Sequence, residues 1–178
     1  TFSYYLVSSV PGKVEAESYS GMTGISTQTT TDTDGGLNVT TIDATDWMDY
    51  SINIQQAGTY LVEYRVASSA GGGKFELRKA TQVLSSNTVN ATGGMQKWTT
   101  ISDTINLTSG KQTLRLYSVV TGWNINWINF EYLFPTSAQN ISASETENSL
   151  LVAPNPVKSN FTVKYKLTEL APVEFTLC

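Results

Sequence analysis

The chain has 178 residues, 40% of them hydrophobic, which suffices for one domain with its own core plus an appendage rather than for two full domains. A formal net charge of −4 with eleven thinly spread Lys and Arg lacks the footprint of a nucleic-acid binder, and the absence of histidine removes the commonest general base and transition-metal ligand. The lone cysteine, Cys178, can form no disulfide within the chain, and no apolar run approaches the roughly 20 residues that span a bilayer.

From the start, Thr1 to Val10 has neither the basic opening nor the apolar centre of a signal peptide, and residues 1–11 read as a linker. Strands are expected near Lys13–Ser18, Asn38–Ile42, Trp47–Ile54, Thr59–Ser68, Lys74–Lys79, Gln82–Val89, Lys97–Leu107, Gln112–Val119 and Asn124–Tyr132. Turn signals such as Gln56-Ala-Gly58, Ser69-Ala-Gly-Gly-Gly73 and Thr108-Ser-Gly110 separate them, and no stretch carries helical periodicity. The fold class is therefore all-β, an antiparallel β-sandwich. In Thr59–Ser68 the residues Tyr60, Val62, Tyr64 and Val66 share one face, which should be core.

After Leu133 the texture changes. Residues 135–148 are rich in Ser, Thr, Ala, Asn and Glu, with little to bury, and read as a linker. Residues 149–178 open a small second β domain, with a turn at Pro154-Asn155-Pro156, an alternating strand at Asn160–Leu167 and another at Pro172–Leu177. A chain that begins without Met and stops at Cys178 reads as a piece of a longer protein.

Four segments within residues 12–134 resemble family 6 carbohydrate-binding modules. They are Lys13-Val-Glu-Ala-Glu-Ser-Tyr19; Gly35-Gly-Leu-Asn-Val39 leading to Ile42-Asp43 and Asp46-Trp-Met-Asp-Tyr50; Gly58 to Ser68; and Trp123-Asn-Ile-Asn-Trp127. The resemblance implies a jelly-roll that binds glycans and catalyses nothing. The tail resembles a type IX secretion sorting domain, truncated here, which implies a parent exported by a Bacteroidetes-type bacterium and handed to the secretion machinery through this segment.

Sugar binding needs an aromatic face for the C–H surface of a pyranose and amides or carboxylates for its hydroxyls. In the family's principal site, at the loop edge, two aromatics clamp one ring while an Asn and a carboxylate bind its hydroxyls. The Asn is matched by Asn124. The other three positions depart from the pattern, with Thr41 and Met95 where aromatics are usual and Gln28 where an acid is usual. Trp123, beside Asn124, is either the replacement platform or a rim aromatic packed on neighbouring loops. Met95 is either a soft contact to sugar or a plain loop residue. Trp47, Trp98 and Trp127 lie in strand patterns and are expected in the core.

Glu15 and Glu17, two apart, point the same way if they lie on one strand. The resemblance implies that they hold a structural Ca²⁺ with a backbone carbonyl near Asp34–Asn38 and with Asn126, which stands where Asp is usual. Asp32-Thr-Asp34-Gly-Gly36 lacks the downstream Glu of an EF-hand and reads as a turn. Asp43, Asp46 and Asp49 are scattered over both faces by their spacing and do not suit the carboxylate pair of a glycosidase.

The expected function is a non-catalytic module, a monomer, that holds a secreted or cell-surface glycoside hydrolase or polysaccharide lyase near a plant or algal β-linked polysaccharide. The alternative is an adhesive or structural jelly-roll whose sugar site has decayed.

Overall fold

The alternation along Thr59–Ser68 sets the frame. In the computed structural model, which describes residues 7–33 and 35–135, Tyr60, Val62, Tyr64 and Val66 all face the interior and are fully buried. Twelve strands and no helix make up the described residues: β1 (Ser8–Val10), β2 (Gly12–Glu15), β3 (Gly21–Thr23), β4 (Ser26–Thr29), β5 (Leu37–Thr40), β6 (Trp47–Ile54), β7 (Gly58–Ser68), β8 (Gly73–Lys79), β9 (Gln82–Val89), β10 (Gly94–Leu107), β11 (Gly110–Val120) and β12 (Asn124–Phe134).

The strands form two sheets. The first runs β1-β6-β11-β8-β9, with β3 also pairing β6; the second runs β10-β7-β12-β5-β4, with β2 also pairing β12. From β5 onward nearly every connection crosses from one sheet to the other, giving the jelly-roll sandwich. The inner faces meet through Met48, Tyr50, Ile52 and Ile54 of β6 and Leu114 and Leu116 of β11 on one side, and the β7 residues with Ile125, Ile128 and Phe130 of β12 on the other. Each such side chain contributes about 1.5–3 kcal/mol by leaving water. The buried hydroxyls are partnered, with Tyr50 Oη donating to the Ala16 carbonyl at 2.8 Å and Tyr64 Oη bonded to Ser85 Oγ at 3.0 Å.

Three local expectations change. Ser8–Val10, expected in a linker, pairs in parallel with β6 and buries Val10. The strand expected to reach Ser18 ends at Glu15, because Ser18 N closes a turn onto the Glu15 carbonyl at 3.0 Å. Strands β3 and β4 have no counterpart in the sequence reading, since Gly21-Met-Thr23 and Ser26-Thr-Gln-Thr29 carry no buried alternation. The second β domain, its Pro154–Pro156 turn and Cys178 lie outside the described residues, as does Asp34. No helix among the described residues is long and apolar enough to cross a membrane.

Candidate functional site

At one edge of the sandwich the loop that carries Thr41 and the strand starts that carry Met95 and Asn124 come together. Thr121 Oγ1 donates to the Ile42 carbonyl at 2.8 Å and reaches Asp43 Oδ1 at 3.0 Å, which ties the loop before Asn124 to the loop after Thr41. Asn124 Nδ2 donates to the Met95 carbonyl at 2.8 Å. Gln96, next in the chain, accepts from Thr31 N at 2.9 Å and donates to Asn38 Oδ1 at 2.9 Å, and Asn38 stands opposite Gln28 in the β4–β5 register. Thus Gln28, Thr41, Met95 and Asn124 belong to one connected rim. Thr41 is exposed, with a left-handed φ of 56°, and Met95 is 36% exposed.

Burial decides between the two readings of Trp123 and places Asn124 beneath the rim rather than on it. Trp123 is not a stacking platform: it is fully buried, its ring 4.8 Å from that of Phe75 and its Nε1 donating to the Val120 carbonyl at 3.0 Å. The physical reason is Gly73, whose missing side chain leaves the slot the indole fills. Asn124 is also fully buried, with Nδ2 spent on Met95 and Oδ1 left without a partner among the described residues. The remaining tryptophans depart from expectation in the opposite sense. Trp47, Trp98 and Trp127 are half-buried rather than core; Trp47 and Trp127 lie at the outward positions of their strands, opposite the outward residues Tyr117 and Arg65.

Glu15 on β2 pairs with Lys13 Nζ at 3.0 Å, and Glu17 lies in the turn just beyond the strand, on the other side of buried Ala16 and near enough for the Glu15 charge to act on it. The Glu17 carboxylate accepts a hydrogen bond from the Leu37 backbone, yet burial and the nearby Glu15 charge push its pKa above the ordinary value. Asn126 is buried in β12, its carbonyl accepting from Ala16 N at 3.0 Å and its Nδ2 donating to Asp32 Oδ2 at 3.1 Å. One Glu17 oxygen and Asn126 Oδ1 are buried acceptors without a partner among the described residues. Two orphaned oxygens flanking one strand contact fit a hard, oxygen-seeking cation, although no group of three acidic, His or Cys side chains converges among the described residues. Asp32 is clamped by Arg65, Nε to Oδ2 and Nη2 to Oδ1 both at 2.8 Å, which holds its carboxyl below the usual range. Gly35 N closes a turn onto Asp32 O at 3.1 Å, as the turn reading required.

The outer face of the first sheet was missed by the sequence reading. Register places Trp47, Tyr117 and Glu76 side by side across β6, β11 and β8, and Asp49, Arg115 and Arg78 side by side in the row beneath. Arg115 grips Asp49 with both nitrogens, Nε to Oδ1 at 2.7 Å and Nη2 to Oδ2 at 2.8 Å, and its guanidinium carbon lies 3.9 Å over the Trp47 ring. This carboxylate grip raises the Arg115 pKa. Arg78 repeats the arrangement, bonding Glu76 Oε2 at 2.7 Å through Nε and lying 3.7 Å over Tyr117. Each guanidinium covers one face of its ring, so a pyranose would have to stack on the remaining face of Trp47 or Tyr117, with the charged groups as donors and acceptors at its rim. The available signal was the i, i+2 pairing of aromatic or acidic residues with charged ones in Trp47/Asp49, Glu76/Arg78 and Arg115/Tyr117, which only strand register could join. The three aspartates go to different places: Asp43 to the exposed rim, Asp46 to a buried turn and Asp49 to this face.

Comparison with known proteins agrees with this architecture. The family model "Carbohydrate binding module (family 6)" matches residues 15–132. A clotting factor G alpha subunit from Tachypleus tridentatus is 43% identical over 118 residues, 65% of this chain, which itself spans only 18% of that relative's length. The family 6 module of Cellvibrio mixtus lichenase 5A, solved with cellotriose, is 42% identical with a TM-score of 0.67, covering 70% of this chain and 99% of that one. A β-1,3-glucan-binding family 6 module from Bacillus halodurans is 29% identical with a TM-score of 0.65, covering 70% and 98%. A two-sheet jelly-roll carrying this family's motifs from Glu15 to Tyr132 therefore belongs to family 6 of the carbohydrate-binding modules, domains that bind glycans without catalysing a reaction.

Proposed function

We propose that this module holds a β-linked glucan on the outer face of its first sheet and so keeps a secreted polysaccharide-degrading parent close to its substrate. The observation that carries the site is the pair Trp47 and Tyr117, cross-strand neighbours on that face, whereas the loop edge offers a buried Trp123 and a buried Asn124. The ligand class is supported by the cellotriose complex of one relative and the β-1,3-glucan of another. Tethering of this kind raises local substrate concentration without new catalysis. The same reading assigns residues 149–178 to a type IX sorting segment read by the secretion machinery of a Bacteroidetes-type cell, supported by the Pro154-Asn155-Pro156 motif and the alternating sequence pattern after it.

Affinity electrophoresis in a gel of soluble β-glucan tests the site. Trp47→Ala and Tyr117→Ala should each weaken retardation about tenfold, counting stacking and lost area together. Asn124→Ala should cost less than either, because the residue is fully buried and its Nδ2 is spent on Met95. The reverse order would return the site to the loop edge, and no retardation of the unaltered chain by any polysaccharide would favour the adhesive alternative.

A structural Ca²⁺ belongs to the same proposal. Glu17 and Asn126 would hold it through their orphaned oxygens, and when bound the ion would offset the charge that burial disfavours at Glu17. Without calcium the raised Glu17 pKa means that the native state holds this proton more tightly than the unfolded chain. That contribution is present below about 4.5 and is lost as pH rises through the folded value. Calcium competes with the proton, so the gain in Tm over EDTA should be near zero at acid pH. It should grow to about 5–10 °C at neutral pH with calcium a hundredfold above Kd. Asp32 runs the other way: its lowered pKa stabilises above about 3.8 and is lost on further acidification. Superimposed melting curves with calcium and with EDTA at neutral pH would remove the ion from the proposal.

A further inference from the structure

The grid on the outer face of the first sheet has an arrangement of charge that ring stacking alone does not require. Arg115 and Arg78 stand directly opposite each other in the β11–β8 register, a juxtaposition that repulsion ordinarily disfavours. It is tolerated because each guanidinium is closed onto its own carboxylate: Arg115 onto Asp49 at 2.7 and 2.8 Å, and Arg78 onto Glu76 through Nε at 2.7 Å and Nη2 at 2.6 Å. Each guanidinium also covers one face of Tyr117 or Trp47, so its charge lies beside any sugar held on the remaining face. The four charges sum to zero, and the forks that would recognise an anionic substituent are already filled from within the protein.

Resting on the reading of this face as the glycan site, we infer that Asp49 and Glu76 are specificity-determining residues that restrict the site to neutral glycans and exclude those bearing carboxylates or sulfates. A uronate or sulfate ester has to displace an intramolecular carboxylate from its arginine, or else lie beside that carboxylate unpaired. A neutral sugar meets neither cost, because a hydroxyl both donates to carboxylate oxygen and accepts from guanidinium N–H. Opposed charges so arranged set partner choice more than raw affinity.

The test compares one soluble β-glucan with its carboxymethylated derivative, by affinity electrophoresis and calorimetry at low and high salt, and reads the ratio of the two affinities. The unaltered chain should favour the neutral polymer. Asp49→Asn and Glu76→Gln keep the shape of the side chain and remove its charge; each should shift the ratio about fivefold toward the carboxymethylated polymer at low salt, and the shift should shrink at high salt. Glu63→Gln, which alters a carboxylate on the second sheet that accepts from Asn129 at 3.1 Å, is the control and should leave the ratio in place. An unmoved ratio in Asp49→Asn and Glu76→Gln, an equal shift in Glu63→Gln, or a preference of the unaltered chain for the anionic polymer would each overturn the inference. Trp47→Ala separates this failure from failure of the site itself. If it retains full neutral-glucan binding, both are overturned; if it loses that binding while the ratio in the charge variants stays fixed, only the charge inference falls.

Discussion

Trp123→Ala should cost the domain about 3–5 kcal/mol of folding stability, the range for deleting a large buried aromatic, out of the roughly 5–15 kcal/mol typical of a domain. The indole is fully buried, packs on Phe75 with ring centres 4.8 Å apart, and donates from Nε1 to the Val120 carbonyl at 3.0 Å. It also holds the loop before β12 in place, where Ser68 Oγ donates to the Gly122 carbonyl at 2.6 Å. Truncation would leave a cavity beneath that loop and an unpartnered carbonyl at its edge. The same slot can be attacked from the opposite wall. A Cβ placed on Gly73 would lie 2.7–3.0 Å from three atoms of the Trp123 side chain, so Gly73→Ala should also destabilise, by overpacking. Urea denaturation of the two variants measures both effects. A Trp123→Ala variant that unfolds with the unaltered chain but no longer binds glycan would show the ring to be a binding platform after all.

Gly24→Ala should be nearly as damaging, at about 2–4 kcal/mol. Gly24 has a φ of 78°, a left-handed conformation that costs a residue with a Cβ about 1–2 kcal/mol. A Cβ there would also fall inside the carboxyl group of Asp46. That carboxyl is not free to leave, because Oδ2 accepts from Asp43 N at 2.9 Å and the Asp46 carbonyl accepts from Ser118 N at 2.8 Å. Displacing it leaves a hydrogen bond unmade, worth about 1–3 kcal/mol when the site is buried. A double-mutant cycle with Asp46→Ala separates the two causes. Once Asp46 is already truncated, adding Gly24→Ala should cost only the backbone strain. If Gly24→Ala costs the same in both backgrounds, the carboxyl plays no part.

Much of the architecture was legible before any coordinates because one-sided burial leaves a period of two. Tyr60, Val62, Tyr64 and Val66 announced the interior of β7, and all four are fully buried. The nine expected strands correspond to nine of the twelve observed. The three that were missed are short, at three or four residues, and sit beside others without an alternating apolar face of their own. Their pairing comes from backbone hydrogen bonds, which side-chain patterns do not record.

The site was less legible, because aromatic residues are informative only once their facing is known. Trp123 stands before a strand and was open to either reading; Gly73, fifty residues earlier in sequence, decides for burial by leaving room for the ring. Trp47 read as core by its strand context, yet it takes the outward parity of β6 because Met48 and Tyr50 take the inward one. Its neighbour Tyr117 is brought alongside only by the β6–β11 register. Glu15 and Glu17 stand two apart in sequence, but a turn closed by Ser18 N on the Glu15 carbonyl ends the strand at Glu15, so the period of two alone does not fix where the Glu17 carboxylate lies. By itself the sequence determined the all-β sandwich, its core strands and its family, because those depend on local period and on ordered motifs. Which tryptophan faces water, which carboxylate meets which arginine, and hence where a glycan can lie were decided by the tertiary structure, because they depend on register between strands far apart in the chain.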